Sequence, residues 1–388
     1  MSPPHLWAEG HPLFPKSGRR HSTALPLLLE MEQVASNTES VEGYVSGILA
    51  GDRNTLSRAV TLIESRSPLH EQKAQAVLQQ LLPHTGKARR IGITGVPGVG
   101  KSTFIDVFGC YLIKQGQALA VLTIDPTSKR SGGSILGDKT RMENLSREPR
   151  AFIRPSPSGD CIGGVARRTR ETMLLCEAAG FDLVLVESVG VGQSEVALRS
   201  MVDYFLLLLL PGAGDELQGI KRGIIEMADD ILVNKAEGDN RPRAEQARLE
   251  QHTSLAFLQP ATPGWKTQAA LCSARTGEGI PEAWQRIEKF FSEVGAKGVL
   301  AQRRQQQNVE WLADLIRDEL QTRFDRNPRV QARYPGIREA LLRGEMTAVI
   351  AARALLAEFD AGTCPTPPQT ALGARTACPP ETDYDNKN

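Results

Sequence analysis

The chain of 388 residues predicts an α/β fold, a mostly parallel sheet covered by helices on both faces, and three features carry that prediction. From Arg90 onward, short and nearly continuous apolar runs at 91–94, 119–124, 183–186, 205–210, 231–233 and 269–271 alternate with helix-length segments. Strands buried on both faces need such runs, and parallel neighbours need helical crossovers between them. Directly after the first run, Gly95, Val96, Pro97, Gly98, Val99, Gly100, Lys101 and Ser102 complete a phosphate-binding pattern of Gly, four residues, Gly, Lys, Ser, with Thr103 following. Polar residues then fall at the ends of the runs, Asp125, Glu187, Asn234 and Ser273, where open α/β sheets bind ligands.

Before the sheet, Val41, Tyr44, Val45, Ile48 and Leu49, then Leu56, Val60 and Ile63, then Ala76, Val77, Leu81 and Leu82 recur at helical spacing. They predict a helical lead-in over 41–87. The glycine-rich loop implies a nucleoside-triphosphate site. Its backbone N–H groups and the following helix N-terminus can cradle phosphates, Lys101 can reach the terminal phosphates, and the Ser102 hydroxyl can ligate Mg2+.

Phosphoryl transfer asks for a cation and a positioned water more than for covalent help from the protein, so acids near the loop are the candidates. The run 183–186 ends in Glu187-Ser188-Val189-Gly190, where the carboxylate can hold magnesium through water and Gly190 can turn its N–H toward the γ-phosphate. Asp125 and Asp138 are the other candidate acids, each with a plainer alternative as a helix cap or turn former. No histidine lies between His84 and His252, so a histidine base is excluded from the main stretch of the domain. Asn234-Lys235-Ala236-Glu237 resembles the Asn-Lys-x-Asp element by which GTPases read guanine, with Glu237 in the Asp position. Its carboxylate would accept from the ring N–H and exocyclic amine, a pairing adenine lacks. Ser273, Ala274 and Arg275, after Cys272, look like the companion loop that contacts the guanine carbonyl.

After Gly279 the pattern turns helical, and Trp311, Leu312, Leu315, Ile316, Leu320 and Phe324 form an apolar stripe opposite Asp314, Arg317, Asp318 and Glu319. The segment 296–360 is therefore a helical cap or a dimerisation arm. Residues 1–40 read as a disordered or targeting extension and 361–388 as a disordered tail, which leaves 88–295 for the nucleotide domain. A net charge of +1 gives no global attraction for nucleic acid or anionic lipid. No apolar run approaches the roughly 20 residues of a membrane span. Six cysteines without close pairs fit a reducing compartment, here the bacterial cytoplasm or, alternatively, the mitochondrial matrix.

Longer runs carry a family resemblance. Asp125-Pro126-Thr127-Ser128, the segment 131–142, Ile153-Arg154-Pro155-Ser156-Pro157, the segment 187–195, and Gly214-Asp215-Glu216-Leu217-Gln218-Gly219-Ile220-Lys221 resemble the GTPase chaperones of adenosylcobalamin-dependent methylmalonyl-CoA mutase, MeaB in bacteria and MMAA in mitochondria. The resemblance covers roughly 41–359 and implies a homodimeric GTPase of the signal-recognition and metal-insertion (SIMIBI) class. It further implies that GTP hydrolysis gates adenosylcobalamin delivery to the mutase, the cobalamin being handled by the partner. On matching positions it implies catalytic Lys101, Asp138, Glu187 and Gln193, magnesium at Ser102, Asp125, Asp138 and Glu187, and a partner-sensing switch at Asp215, Gln218 and Lys221. Two alternatives stand beside it. A nickel-insertion GTPase of the same class would need a histidine- or cysteine-rich tract, which this chain lacks. A kinase or ATPase tied to basic amino acid transport would need an acceptor pocket.

Overall fold

The computed structural model describes residues 40–124, 142–155, 162–188, 190, 193–212 and 222–363. Among the described residues three α-helices precede the sheet: α1 (Val41–Leu49), α2 (Arg53–Glu64) and α3 (Pro68–Leu81). The Ser40 hydroxyl accepts from Gly43 N–H at the start of α1. The Asp52 carboxylate accepts from Asn54 and Thr55 N–H at the start of α2, so both chain entries are capped.

The nucleotide domain then alternates strands and helices: β1 (Arg89–Gly95), α4 (Lys101–Lys114), β2 (Leu119–Ile124), α5 (Glu143–Ser146), β3 (Ala151–Arg154), α6 (Ile162–Ala178), β4 (Leu183–Ser188), α7 (Gln193–Arg199), β5 (Tyr204–Leu209), α8 (Arg222–Met227), β6 (Asp230–Val233), α9 (Arg241–Leu255), β7 (Ala269–Leu271) and α10 (Ile280–Ala296). The seven strands form one parallel sheet in the order β3-β2-β4-β1-β5-β6-β7. All six expected strands are present. The seventh, β3, is four residues long between Pro149 and Pro155 at the sheet edge, too short and too punctuated for periodicity to reveal.

Alternate residues of each strand feed two cores. Ala120, Leu122, Val184, Val186, Phe205, Leu207 and Ile231 face one side together with Ile48, Leu56, Val60 and Leu81 of the lead-in helices. Leu119, Val121, Leu183, Leu185, Tyr204, Leu206 and Leu208 face the other, with Phe104 and Phe108 of α4 and Trp284 and Phe290 of α10. The lead-in thus completes a layer of the nucleotide domain, because the apolar face of the sheet on that side needs covering. Gly92 in β1 permits the close approach of α7: a Cβ there would lie 2.9 Å from both Leu198 Cγ and Val202 Cγ2.

Below the sheet, at the strand N-termini, buried Asp203, Asp229 and Asp230 are held by arginines. Arg304 grips Asp203 with Nε at 2.7 Å and Nη2 at 2.6 Å, and donates from Nη1 and Nη2 to the Gly86 and Ala88 carbonyls at 2.6 Å each. Arg199 reaches Asp229 at 2.7 Å, and Arg286 reaches Asp230 at 2.8 Å. Arg303 donates to the Asp203 carbonyl and to Thr262 Oγ1.

Arg303 and Arg304 belong to α11 (Val299–Arg326), which is followed by α12 (Pro328–Leu342) and α13 (Ala348–Thr363). The chain divides into two compact units, the first running to Val309 and the second beginning at Glu310. The second has a small core of Val330, Ile337, Ala351 and Leu355, flanked by Phe324 and Phe359 with ring centroids 5.6 Å apart. Among the described residues no helix is long and apolar enough to cross a membrane.

Candidate nucleotide site

From β1 the chain is carried toward β2 on one side, whereas the connection after β4 passes to β5 on the other side of β1. That divergence opens a crevice at the carboxyl end of β1, where Gly95 to Gly100 turn into α4. Gly100 adopts φ 95° and supplies no side-chain cap, so the first N–H groups of α4 keep their donors for a ligand. Lys101 is buried at the loop, its Nζ donating to the Gly95 carbonyl at 2.8 Å and the Val96 carbonyl at 3.3 Å. Two glycines are required by geometry. At Gly95 (φ 149°) a Cβ would lie 2.4 Å from the Leu208 carbonyl oxygen, and at Gly190 (φ 84°) 2.1 Å from the Gly95 oxygen.

Ser102 Oγ donates to Glu187 Oε1 at 3.1 Å, joining the start of α4 to the end of β4. Glu187 sits in the sheet beside Ile93 and opposite Thr123, and is buried. Thr123 Oγ1 is buried with no hydrogen-bond partner among the described residues. One strand over, Thr94 and Ser188 share a 2.6 Å hydroxyl contact that fastens β1 to β4 beneath the loop. The donor set is entirely oxygen, hydroxyls and a carboxylate, which suits a hard cation shared with phosphates. No group of three or more His, Cys, Asp or Glu that could cage a metal occurs among the described residues.

The two segments expected to read the base converge on the same loop. Asn234, buried after β6, donates from Nδ2 to the Val99 carbonyl at 2.9 Å and accepts at Oδ1 from Ala274 N–H at 3.0 Å. Cys272 Sγ approaches the same oxygen at 3.6 Å. Burial and the nearby Glu237 charge push the Cys272 thiol up to about 12, so it stays a neutral donor. Lys235 takes the left-handed conformation, φ 61°, and its Nζ donates to the Gly98 carbonyl at 2.8 Å, laying its stem along the loop. Glu237 lines a cavity of about 640 Å3 with Ala236, Gly238, Arg241, Thr276, Gly277 and Glu278. Its Oε2 is buried and has no hydrogen-bond partner among the described residues. A second cavity, of about 730 Å3, opens between α8, α9 and the start of β7 and contains none of these elements.

Lys101, Ser102, Glu187, Asn234, Lys235, Glu237 and the loop 273–275 are therefore gathered around one crevice, although Arg275 is exposed at its rim. Gln193 is the first residue of α7, three positions after Gly190 in the chain. Asp125, Asp138, Asp215, Gln218 and Lys221 lie outside the described residues. Sequence reasoning missed Thr94, Thr123, Arg241 and Glu278. Strand register could have placed Thr123 beside Glu187, but nothing in the sequence pairs Arg241 with Glu278.

A parallel sheet with this loop after its first strand, and with an Asn-Lys segment tied to it, defines a P-loop GTPase. The model of the methylmalonyl-CoA mutase-associated GTPase MeaB family matches residues 56–329, and the chain belongs to that family. It is 46% identical to GTPase ArgK of Escherichia coli over 284 residues, covering 73% of this chain and 86% of that protein. It is 43% identical to the mitochondrial methylmalonic aciduria type A homolog of Mus musculus over 329 residues, covering 82% and 79%. A crystal structure described as a LAO/AO transport system kinase superposes with TM-score 0.67 at 37% identity, covering 82% of this chain and 97% of that one.

Proposed function

We propose that this GTPase gates adenosylcobalamin delivery to methylmalonyl-CoA mutase or a related acyl-CoA mutase, and protects or reactivates that enzyme. The reading rests on one observation above the rest: Asn234 ties the phosphate loop to the base-reading loops, so that base, phosphates and the Gly190 turn share one crevice in a mutase-associated family. Loops ordered by a γ-phosphate relax when it leaves, which gives a partner a state to read.

Magnesium bound here would neutralise charge developing on the transferred phosphoryl group. Ser102 would ligate it directly and Glu187 through water, with Asp125 and Asp138 as the proposed remaining acids. Lys101 holds the terminal phosphates, the free N–H groups of α4 hold the rest, and Glu237 with the loop 273–275 selects guanine. Asp215, Gln218 and Lys221 are proposed to sense the mutase, and Gln193 to help position the attacking water.

A homodimer is part of the proposal. On α11, Leu312, Ile316 and Leu320 recur every four residues and are each more than half exposed, while among the described residues of the second unit the buried core holds four apolar side chains. The setting proposed is the bacterial cytoplasm, with the mitochondrial matrix as the alternative, in keeping with the sources of the relatives. No nucleic-acid or membrane partner is proposed.

The deciding experiment measures GTP and ATP hydrolysis side by side, with and without a candidate mutase. Stimulation of GTP turnover by the mutase is expected, and Lys101→Ala should lower turnover by at least about a hundredfold, through loss of a charge at the transferred phosphate. A mutase without effect on turnover would remove the partner from the reading. Near-native hydrolysis by the Lys101 variant would remove the loop.

A further inference from the structure

We infer that Glu278 is a holder for Arg241, keeping that guanidinium off Glu237 so that the base-reading carboxylate stays available to guanine. The inference rests on the proposed base-reading role of Glu237. Glu237 and Arg241 are four residues apart, joined by the 3-10 turn Gly238–Asn240 that opens into α9. Glu237 itself is extended, at φ −97° and ψ 156°, and opposite charges so near in the chain attract one another. Both side chains line the same cavity of about 640 Å3. They do not pair. Arg241 Nη1 instead donates to Glu278 Oε1, 2.5 Å away on the facing loop, while Glu237 Oε2 stays buried without a donor among the described residues.

A carboxylate oxygen left without a donor in a buried setting is costly unless a ligand supplies one. Guanine supplies two, its ring N–H and its exocyclic amine, whereas the matching edge of adenine offers an acceptor in place of the ring donor. A guanidinium on Glu237 would compete for the same oxygens as a charge-assisted donor. The holder is itself fixed in place. The Glu278 carbonyl accepts from Ser273 N–H at 2.9 Å, and the next residue, Gly279, has φ 78° with room for no Cβ, which would lie 2.3 Å from the Leu271 oxygen. The other cation of the element, Lys235, is turned away onto the Gly98 carbonyl.

A plain brace between the two loops would also use this ion pair, and the two roles separate in mutants. A brace fails equally when either partner is removed, and removing both repairs nothing. A holder fails only while the guanidinium it restrains is still present. Calorimetric titration of the full-length protein with GDP and with ADP, for native, E278A, R241A/E278A and E237A, tests this. E278A is expected to weaken GDP binding by about tenfold, the effect of one charge-assisted competitor, and to leave ADP binding unmoved. The double variant R241A/E278A should return to within about threefold of native. The E278A defect should shrink as salt rises, because the competing ion pair is screened. GDP binding by E278A within about twofold of native overturns the holder, and so does a double variant no better than E278A. If E237A changes neither GDP affinity nor the preference over ADP, the base-reading role has failed, and the holder with it.

Discussion

Gly190 shows how tightly single residues are specified here. Its φ of 84° and the 2.1 Å approach of a notional Cβ to the Gly95 oxygen put the turn after β4 directly against the phosphate loop. A methyl group must push the two loops apart, because neither a main-chain carbonyl nor a left-handed turn can yield cheaply. Gly190→Ala is therefore expected to retain GDP binding but to lose GTP turnover by about tenfold or more, since misplacing a reacting group by about 1 Å has that scale of effect. Single-turnover hydrolysis and GDP titration check it; unimpaired hydrolysis would show that the close contact does not matter to the reaction. Spacing alone exposed Lys101, Ser102 and Glu237, because their motifs are contiguous in sequence. It could not expose Thr123 or Glu278, whose surroundings come from other strands and loops.

Among the elements, β6 carries a load its four residues do not advertise. Asp230, at its start, accepts from Tyr204 OH at 2.7 Å and from Gln268 N–H at 2.9 Å, and pairs with Arg286, which stacks over Trp265. Burial raises the Asp230 carboxyl from 3.8 to about 6, against the lowering effects of Arg286 and these hydrogen bonds. The folded protein thus holds this proton more tightly than the unfolded chain. The stabilisation so gained is full below the unfolded value, fades as pH rises through about 6, and contributes nothing further above it. The stability of native protein minus that of Asp230→Asn should accordingly fall between about pH 4 and about pH 6 and then level off. Urea melts across that range check the sign; a difference that rises with pH would mean that Arg286 dominates burial. The strands themselves were legible because runs buried on both faces leave no polar interruption. Only β3, short and bounded by prolines, escaped.

For the whole molecule, the division at Val309 matters more than the change of pattern after Gly279 suggests. The sequence pointed to an arm beginning near 296, yet Arg303 and Arg304, beyond that point, neutralise Asp203 and Asp229 of the first unit. A chain ending at Gly295 strips Asp203 of Arg304 and is expected to lose about 3–5 kcal/mol for that uncompensated buried charge, whereas Asp229 keeps Arg199 at 2.7 Å. A chain ending at Val309 keeps those arginines while lacking Leu312, Ile316 and Leu320. Under the dimer proposal it should fold with near-native melting temperature and scatter light as a monomer. A dimeric mass for that truncation would reject the arm.

Arg304 also imposes an order on biosynthesis. The last strand ends at Leu271 and is synthesised before Arg304, so the nascent sheet carries buried Asp203 ahead of the guanidinium that answers it. Completion of the catalytic body is thereby deferred until translation has entered the following helix.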